Sequence, residues 1–242
     1  MIEKKIYLEG VDPVKLFGIK NSRFDAIKSN FPKLKIIARG SELIIRGSDK
    51  QIIQFEKLLK IVPQLNQKVN VISRKDIVHL EERHILHSLS IAKKFSFDSS
   101  ARVIDVGTGG GFPGIPLAIM FPQTTFTLVD SIAKKVALIR EITEQLDLKN
   151  VTPKNQRMEH LTQKADFVVS RAVTAFPKLH QWTRKLLEPG NKQSMPNGLI
   201  SLKGGDLDIE LAPFKNRVEL FPLSSCFEES FFYTKMIVYL KK

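Results

Sequence analysis

From Ala101 onward, short apolar runs alternate with segments whose apolar residues recur every three or four positions. "RVIDV", "TFTLVD", "ADFVVS" and "GLISLKG" are continuous apolar runs, as expected of strands covered on both faces. Between them "GIPLAIMF", "SIAKKVALIREITEQLDL" and "FPKLHQWTRKLL" have helical spacing, with Ile132, Val136, Ile139, Ile142 and Leu146 on one face of the second. This alternation predicts a doubly wound α/β sheet over residues 99–242. The last apolar runs, "RVELFPLSS" and "SFFYTKMIVYLKK", follow one another with no helix between them. They predict an antiparallel hairpin at one edge of an otherwise parallel sheet.

The front of the chain has a different pattern. Pro13 at a first-turn position, alternating Ile/Leu runs on either side of Gly40-Ser41, and a Ser48/Asp49 cap predict strand, helix, hairpin and helix over residues 1–60. That is a small α+β (βαββα) unit. Residues 61–98 turn helical, with Pro63 as the boundary and Ile85, Leu89 and Ala92 at helix spacing, and form a connecting layer.

Composition narrows the classes of function. Cys226 is the single cysteine, so neither an internal disulfide nor a Cys/His zinc site is expected. No apolar run reaches the length of a membrane span and "MIEKKIYLEG" has no secretory apolar core, so the expectation is a cytoplasmic, metal-free, monomeric protein. The net charge of +13 suits a polyanionic partner, nucleic acid before anionic membrane. Residues 1–60 carry 13 Lys+Arg against 7 Asp+Glu, a local balance of +6.

The stretch "VIDVGTGGGFPGIPLAIMF" holds the candidate chemistry. A strand ending in Asp105 and followed by Gly107, Gly109, Gly110 and Gly111 allows a sharp turn and close approach of backbone to a ligand. Pro113 and Pro116 remove early helix N–H donors, which argues against a pyrophosphate cradle, and no Gly-Lys-Ser/Thr is present for a P-loop. Asp130 closes the next strand, where a carboxylate can accept from both hydroxyls of a ribose. An adenosyl site without pyrophosphate remains. Asp-x-Gly-x-Gly-x-Gly with a strand-end Asp resembles the class I S-adenosylmethionine methyltransferases, a Rossmann-like, mostly parallel seven-stranded sheet with an antiparallel edge strand.

"ADFVVSRAVTAF", the third predicted strand of this region and the loop that leaves it, contains neither a proline box for amine methylation nor a cysteine nucleophile. Guanine N7 offers a neutral lone pair and needs no base, so orientation and desolvation suffice for transfer to it. "VIDVGTGGGFPGIPLAI", "LVDSIAKKV", "VVSRAV" and "LKGG", preceded by "NQKVNVISRKD" and "ERHILHSL", are similar to the RsmG (GidB) family of 16S rRNA methyltransferases, which make 7-methylguanine. The similarity covers about residues 51–242. It implies S-adenosylmethionine as cofactor and 16S rRNA, or the small ribosomal subunit or its precursor, as partner.

Asp105 is placed to hold the loop or a cationic group of the ligand, and with Gly109 counts among the cofactor-site candidates. By motif, the resemblance places Gly107, Phe112, Asp130, Met158 and Glu159 at the cofactor, and Arg171 at the mouth shared by cofactor and acceptor, as an acceptor-positioning group. It puts Asn70, Arg74, Arg83, His84 and Lys203 on the RNA side. A helix-packing role is as reasonable for His84 and His87 as contact with RNA. Residues 1–50 depart from the family and resemble instead the small KH-like N-terminal domain of PhoH-family ATPases, although Gly18-Ile-Lys-Asn21 lacks the second glycine of a KH loop. Other readings are a non-catalytic RNA-binding or assembly protein that retains the fold, and a methyltransferase for another RNA.

Overall fold

The computed structural model describes residues 2–7, 35–39, 42–47, 49–191 and 195–242. The helix expected over residues 12–31, the Gly18–Asn21 segment, the Gly40-Ser41 turn and the Ser48 cap lie outside the described residues. At the front, strands β1 (Ile2–Tyr7), β2 (Lys35–Arg39) and β3 (Glu42–Gly47) form an antiparallel sheet in the order β1-β3-β2.

Helix α1 (Asp49–Val69) then runs unbroken through residue 60 and through Pro63, where the sequence suggested boundaries. Pro63 has no N–H, so it leaves the Leu59 carbonyl without its helical partner but does not end the helix. Burial explains the continuation: Leu58, Val62 and Leu65, on both sides of the proline, join the core of the following domain. Two side chains of α1 also cap helices of that domain. Gln51 Nε2 donates to the Ile119 carbonyl at 2.8 Å, and Gln54 Nε2 donates to Leu146 O at 2.8 Å. Such bonds satisfy carbonyls that a helix end leaves orphaned. Asn70 ends α1 in a left-handed conformation (φ 52), as a residue after a helix commonly does.

A continuous helical run follows, wound as a 3-10 turn over Ile77–His79, as a π-helix over Leu80–Leu86 and as α2 over His87–Lys94. Beyond it come β4 (Arg102–Val106), α3 (Gly114–Met120), β5 (Thr125–Asp130), α4 (Ala133–Gln145), β6 (Val151–Asn155), β7 (Phe167–Arg171), α5 (Phe176–Thr183), β8 (Gly198–Gly204), α6 (Asp208–Leu211), β9 (Val218–Pro222) and β10 (Lys235–Lys241). The seven strands β4–β10 pair in the order β6-β5-β4-β7-β8-β10-β9, with β10 antiparallel to both neighbours. Strand β6 was not predicted. "VTPKN" has Pro153 and only partly buried or exposed residues, which suits the edge it occupies but conceals it from a search for apolar runs.

Residues of each strand alternate between two cores. Val103, Phe126, Leu128, Phe167, Val169, Ile200, Ile237 and Tyr239 pack under α1, α2, α3 and α4. Ile104, Val129, Val168, Leu199 and Val238 face the other way, against Phe176, Leu179, Leu211 and Phe214. The chain moves from β4 outward through β5 to β6 and returns to the other side of β4 with β7. The carboxyl ends of β4 and β7 therefore flank the point where strand order reverses, which is where doubly wound sheets bind ligands.

Candidate functional site

The glycine loop is built on Asp105, which is fully buried at the end of β4. Its Oδ2 accepts the Thr108 hydroxyl at 2.6 Å and the Gly114 N–H at 2.8 Å, closing the loop on the first residue of α3. Residue 114 has no room for a side chain: a Cβ would stand 2.7 Å from Asp105 Oδ2 and 2.8 Å from Leu128 Cγ. With Gly114 N–H spent, Ile115 N–H bound to Gly111 O, and Pro116 without a donor, the start of α3 keeps no amide for a pyrophosphate. Burial pushes the Asp105 carboxyl up to about 7, against the opposing pull of the Thr108 and Gly114 donors and the Arg171 charge.

Asp130 closes β5 and fixes the other side of the loop. Its Oδ2 accepts from Gly109 N–H at 3.0 Å and its Oδ1 from Ile132 N–H at 2.9 Å. Beside it opens a cavity of about 480 Å³ lined by Gly107, Asp130, Met158, Glu159, Ala172 and Trp182 among others. Gly107 has φ +65, and a Cβ there would press on Val173 Cγ2 at 2.6 Å. Only glycine leaves this wall thin.

A second cavity, of about 310 Å³, shares Gly107 and Ala172 with the first. Its lining includes Gly109, Phe112, Arg171, Arg83, His84 and Phe231. Ala172, common to both, is held at φ 52, a conformation that costs a non-glycine residue on the order of 1 kcal/mol. Behind the second cavity runs a chain of side chains. Arg171 donates through Nη1 to Arg83 O and through Nη2 to His84 Nδ1, both at 2.9 Å. A guanidinium has no acceptor, so His84 Nδ1 must carry the lone pair and Nε2 the proton. Nε2–H then donates to Asp76 Oδ2 at 2.6 Å, while Arg83 Nη1 donates to Asp76 Oδ1 at 3.0 Å.

Burial, and then the Arg171 charge, push His84 down to about 4, and burial lowers His87 to about 3. Partial burial would raise Asp76, but its hydrogen bonds from Arg83 and His84 hold it below the usual carboxylate value. Arg171 is lowered by burial to about 10 and remains a cation at neutral pH, with its guanidinium 5.3 Å from the Phe112 ring centroid.

The predicted residues thus divide. Gly107, Asp130, Met158 and Glu159 line the first cavity. Gly109, Phe112 and Arg171 line the second, so Phe112 is the floor under Arg171 and His84 and not a wall of the first. Asp105 reaches neither and organises the loop from below. Of the RNA candidates, Arg83 and His84 line the second cavity, whereas Asn70 and Arg74 line a separate groove with Pro63 and Ile77. Lys203, the remaining RNA candidate, lines neither cavity. Its side chain is 10% exposed, and its ammonium donates to Thr174 O and Glu210 Oε1, both at 2.6 Å. Sequence reasoning missed Asp76, Phe231 and Lys235; Asp76 was legible as the one acid in "NQKVNVISRKD".

The strand order with its reversed last member, the glycine loop after β4 and the carboxylate closing β5 define the fold of class I S-adenosylmethionine-dependent methyltransferases. A solved SAM-dependent methyltransferase from Aquifex aeolicus shares this fold at 16% identity, with a TM-score of 0.51 over 70% of this chain and 98% of that one. Within the class the family is narrower: the model of GidB, rRNA small subunit methyltransferase G, matches residues 51–223, and the chain belongs to that family. Proteins named ribosomal RNA small subunit methyltransferase G are similar. That of Christiangramia forsetii is 51% identical over 193 residues, 80% of this chain and 91% of its own length. That of Bacteroides thetaiotaomicron is 51% identical over 192 residues, 79% of this chain and 93% of its own length. The match begins at residue 51 and leaves the first fifty residues outside it.

The histidine shifts fix a sign. With His84 near 4 when folded and near 6.5 when unfolded, the unfolded chain takes up the proton first. The neutral imidazole therefore contributes stability that is complete above pH 6.5 and is lost as pH falls toward 4. Asp105, raised when folded, contributes in the opposite sense, losing stability as pH rises through about 7. Urea unfolding at a series of pH values should show His84→Gln flattening the pH dependence between 4 and 6.5 by about one proton, or ~1.4 kcal/mol per pH unit. An unchanged slope would show that His84 is not held neutral.

Proposed function

We propose that the protein transfers a methyl group from S-adenosylmethionine to N7 of a guanine in 16S rRNA, in the small ribosomal subunit or its precursor. The observation that carries this is the meeting of two cavities at Gly107 and Ala172, under the half-buried Arg171, in a member of this family. The first cavity suits the cofactor: a strand-end carboxylate for ribose hydroxyls, a glycine wall, and no amide left at the start of α3 for a pyrophosphate. When bound, S-adenosylmethionine supplies an electrophilic methyl group on a sulfonium.

The chain's own residues do the rest by holding and excluding. Asp130 binds the ribose, while Met158 and Glu159 flank the adenine. Arg171 spends two N–H groups on Arg83 O and His84 and has others to offer. One of them given to guanine O6 would orient the base and disfavour adenine, which presents a donor at that position. N7 stays free, and its lone pair needs no proton removed. His84 and His87, both lowered far below neutrality, are spared from proton transfer and serve position. Cytoplasmic location belongs to the same reading; among the described residues no helix is long and apolar enough to cross a membrane, and no cluster of His, Cys, Asp and Glu could hold a metal ion.

We infer that the front unit, whose antiparallel β1-β3-β2 sheet and charge suit the KH-like resemblance, adds an RNA contact. Deletion of residues 1–48 should weaken binding to 16S rRNA and reduce its salt dependence; equal affinity and slope would assign the unit a purely structural role. For the reaction, purified protein, isotope-labelled S-adenosylmethionine and small subunits from a strain lacking the gene should yield one labelled 7-methylguanine, located by mass spectrometry of the digested rRNA. Label in another base, or none, would overturn the assignment.

A further inference from the structure

With Lys203 paired to Glu210 and Arg171 bonded to Arg83 O and His84, the remaining cation among the described residues lining the second cavity that has no ion pair is Lys235, the first residue of β10. It faces Gly204 of β8 in register and lines the cavity together with Phe231. Among the described residues it forms no ion pair, and the one hydrogen bond of its ammonium is a long contact of 3.5 Å to Thr234 Oγ1. Arg83, at the same rim, has its carboxylate partner in Asp76.

Lys235 is nonetheless placed, not free. Its stem lies in the space that Gly204 leaves: a Cβ at 204 would stand 2.7 Å from Lys235 Cδ and 2.8 Å from Nζ. The ammonium is 4.9 Å from the centroid of the Phe231 ring, a cation–π distance. That ring is itself fixed. His87 and Phe232 meet it nearly edge-on, at 5.4 Å and 82° and at 5.1 Å and 79°. The Arg83 guanidinium lies 5.5 Å from the same ring. The rim thus combines an oriented, half-buried aromatic ring with a lysine held over it and, among the described residues, no carboxylate paired to that lysine.

The chemistry of the proposed substrate gives such a rim a use. In an RNA helix N7 faces a deep, narrow groove that side chains cannot read, so a guanine to be methylated there must be unpaired or extruded. A nucleotide drawn into the cavity brings its flanking phosphates to the rim and leaves a face of the base against the wall. We propose that Phe231 and Lys235 dock the target nucleotide, with Phe231 as the wall for the base and Lys235 neutralising an adjacent phosphate. This rests on the reading of the second cavity as the acceptor site.

The test uses the full chain and small subunits from a strain lacking the gene, with methyl transfer followed at several KCl concentrations. Lys235→Gln should raise KM for subunits by about five- to ten-fold at low salt and reduce the slope of log KM against log salt by about 1, with kcat and cofactor affinity changed by less than about two-fold. Lys235→Arg should restore both. Gly204→Ala retains every charge and meets only the flexible stem of Lys235, so it should raise KM by displacing the ammonium. Unchanged KM and slope in Lys235→Gln would overturn the proposal and leave the methyltransferase reading intact. A wild-type protein that binds S-adenosylmethionine but methylates no rRNA would overturn the acceptor reading, and this proposal with it.

Discussion

The glycine loop keeps its shape because one buried carboxylate holds both of its ends. Asp105 takes the Thr108 hydroxyl and the Gly114 amide on a single oxygen, so the turn out of β4 and the start of α3 are fixed together. A buried acid with few partners is costly, and the cost appears as a carboxyl pushed up to about 7. The position tolerates it because the gain is geometric. With the loop closed from below, Gly107 can thin the wall above, Gly109 can reach Asp130, and two cavities can open at the switch point of the sheet.

The second cavity is organised from a different part of the chain. Asn66 exchanges two 2.8 Å hydrogen bonds with the Ile72 backbone, fixing the segment that leads to Asp76. Asp76 fixes the tautomer of His84, and His84 fixes Arg171. Arg83 and His84 lie on a π-helical turn, a winding frequent at functional sites. The helical layer before the sheet is therefore part of the site as well as its cover, and the continuity of α1 through Pro63 ties that layer to the sheet.

Much of this was legible in the sequence, because apolar periodicity and glycine placement report directly on buried strands and close backbone approach. The alternation after Ala101 predicted the sheet and its terminal hairpin, and Asp105, Gly107 and Asp130 stood out by position alone. Strand β6 did not, since an edge strand with Pro153 buries too little to leave an apolar signature. Pro63 misled because a proline usually ends a helix, whereas here packing on both sides outweighs one missing hydrogen bond. The partner of Lys203 was not legible either: a motif position gives a residue type, not the carboxylate that Glu210 brings from six residues beyond Gly204. Phe231 and Lys235 could not be found from spacing, because the pairing of β10 with β8 places Lys235, and Phe231 lies in the turn Ser230–Thr234 just before it.

In the proposed division of work, two cavities share Gly107 and Ala172: cofactor in the one beside Asp130, acceptor in the one beneath Arg171. A crystal structure with S-adenosylhomocysteine tests that division most directly. It should show the ribose hydroxyls on Asp130, the adenine between Met158 and Glu159, and the sulfur at the Gly107–Ala172 opening, facing Arg171. The cofactor product seated instead in the cavity lined by Phe112, His84 and Phe231 would contradict it.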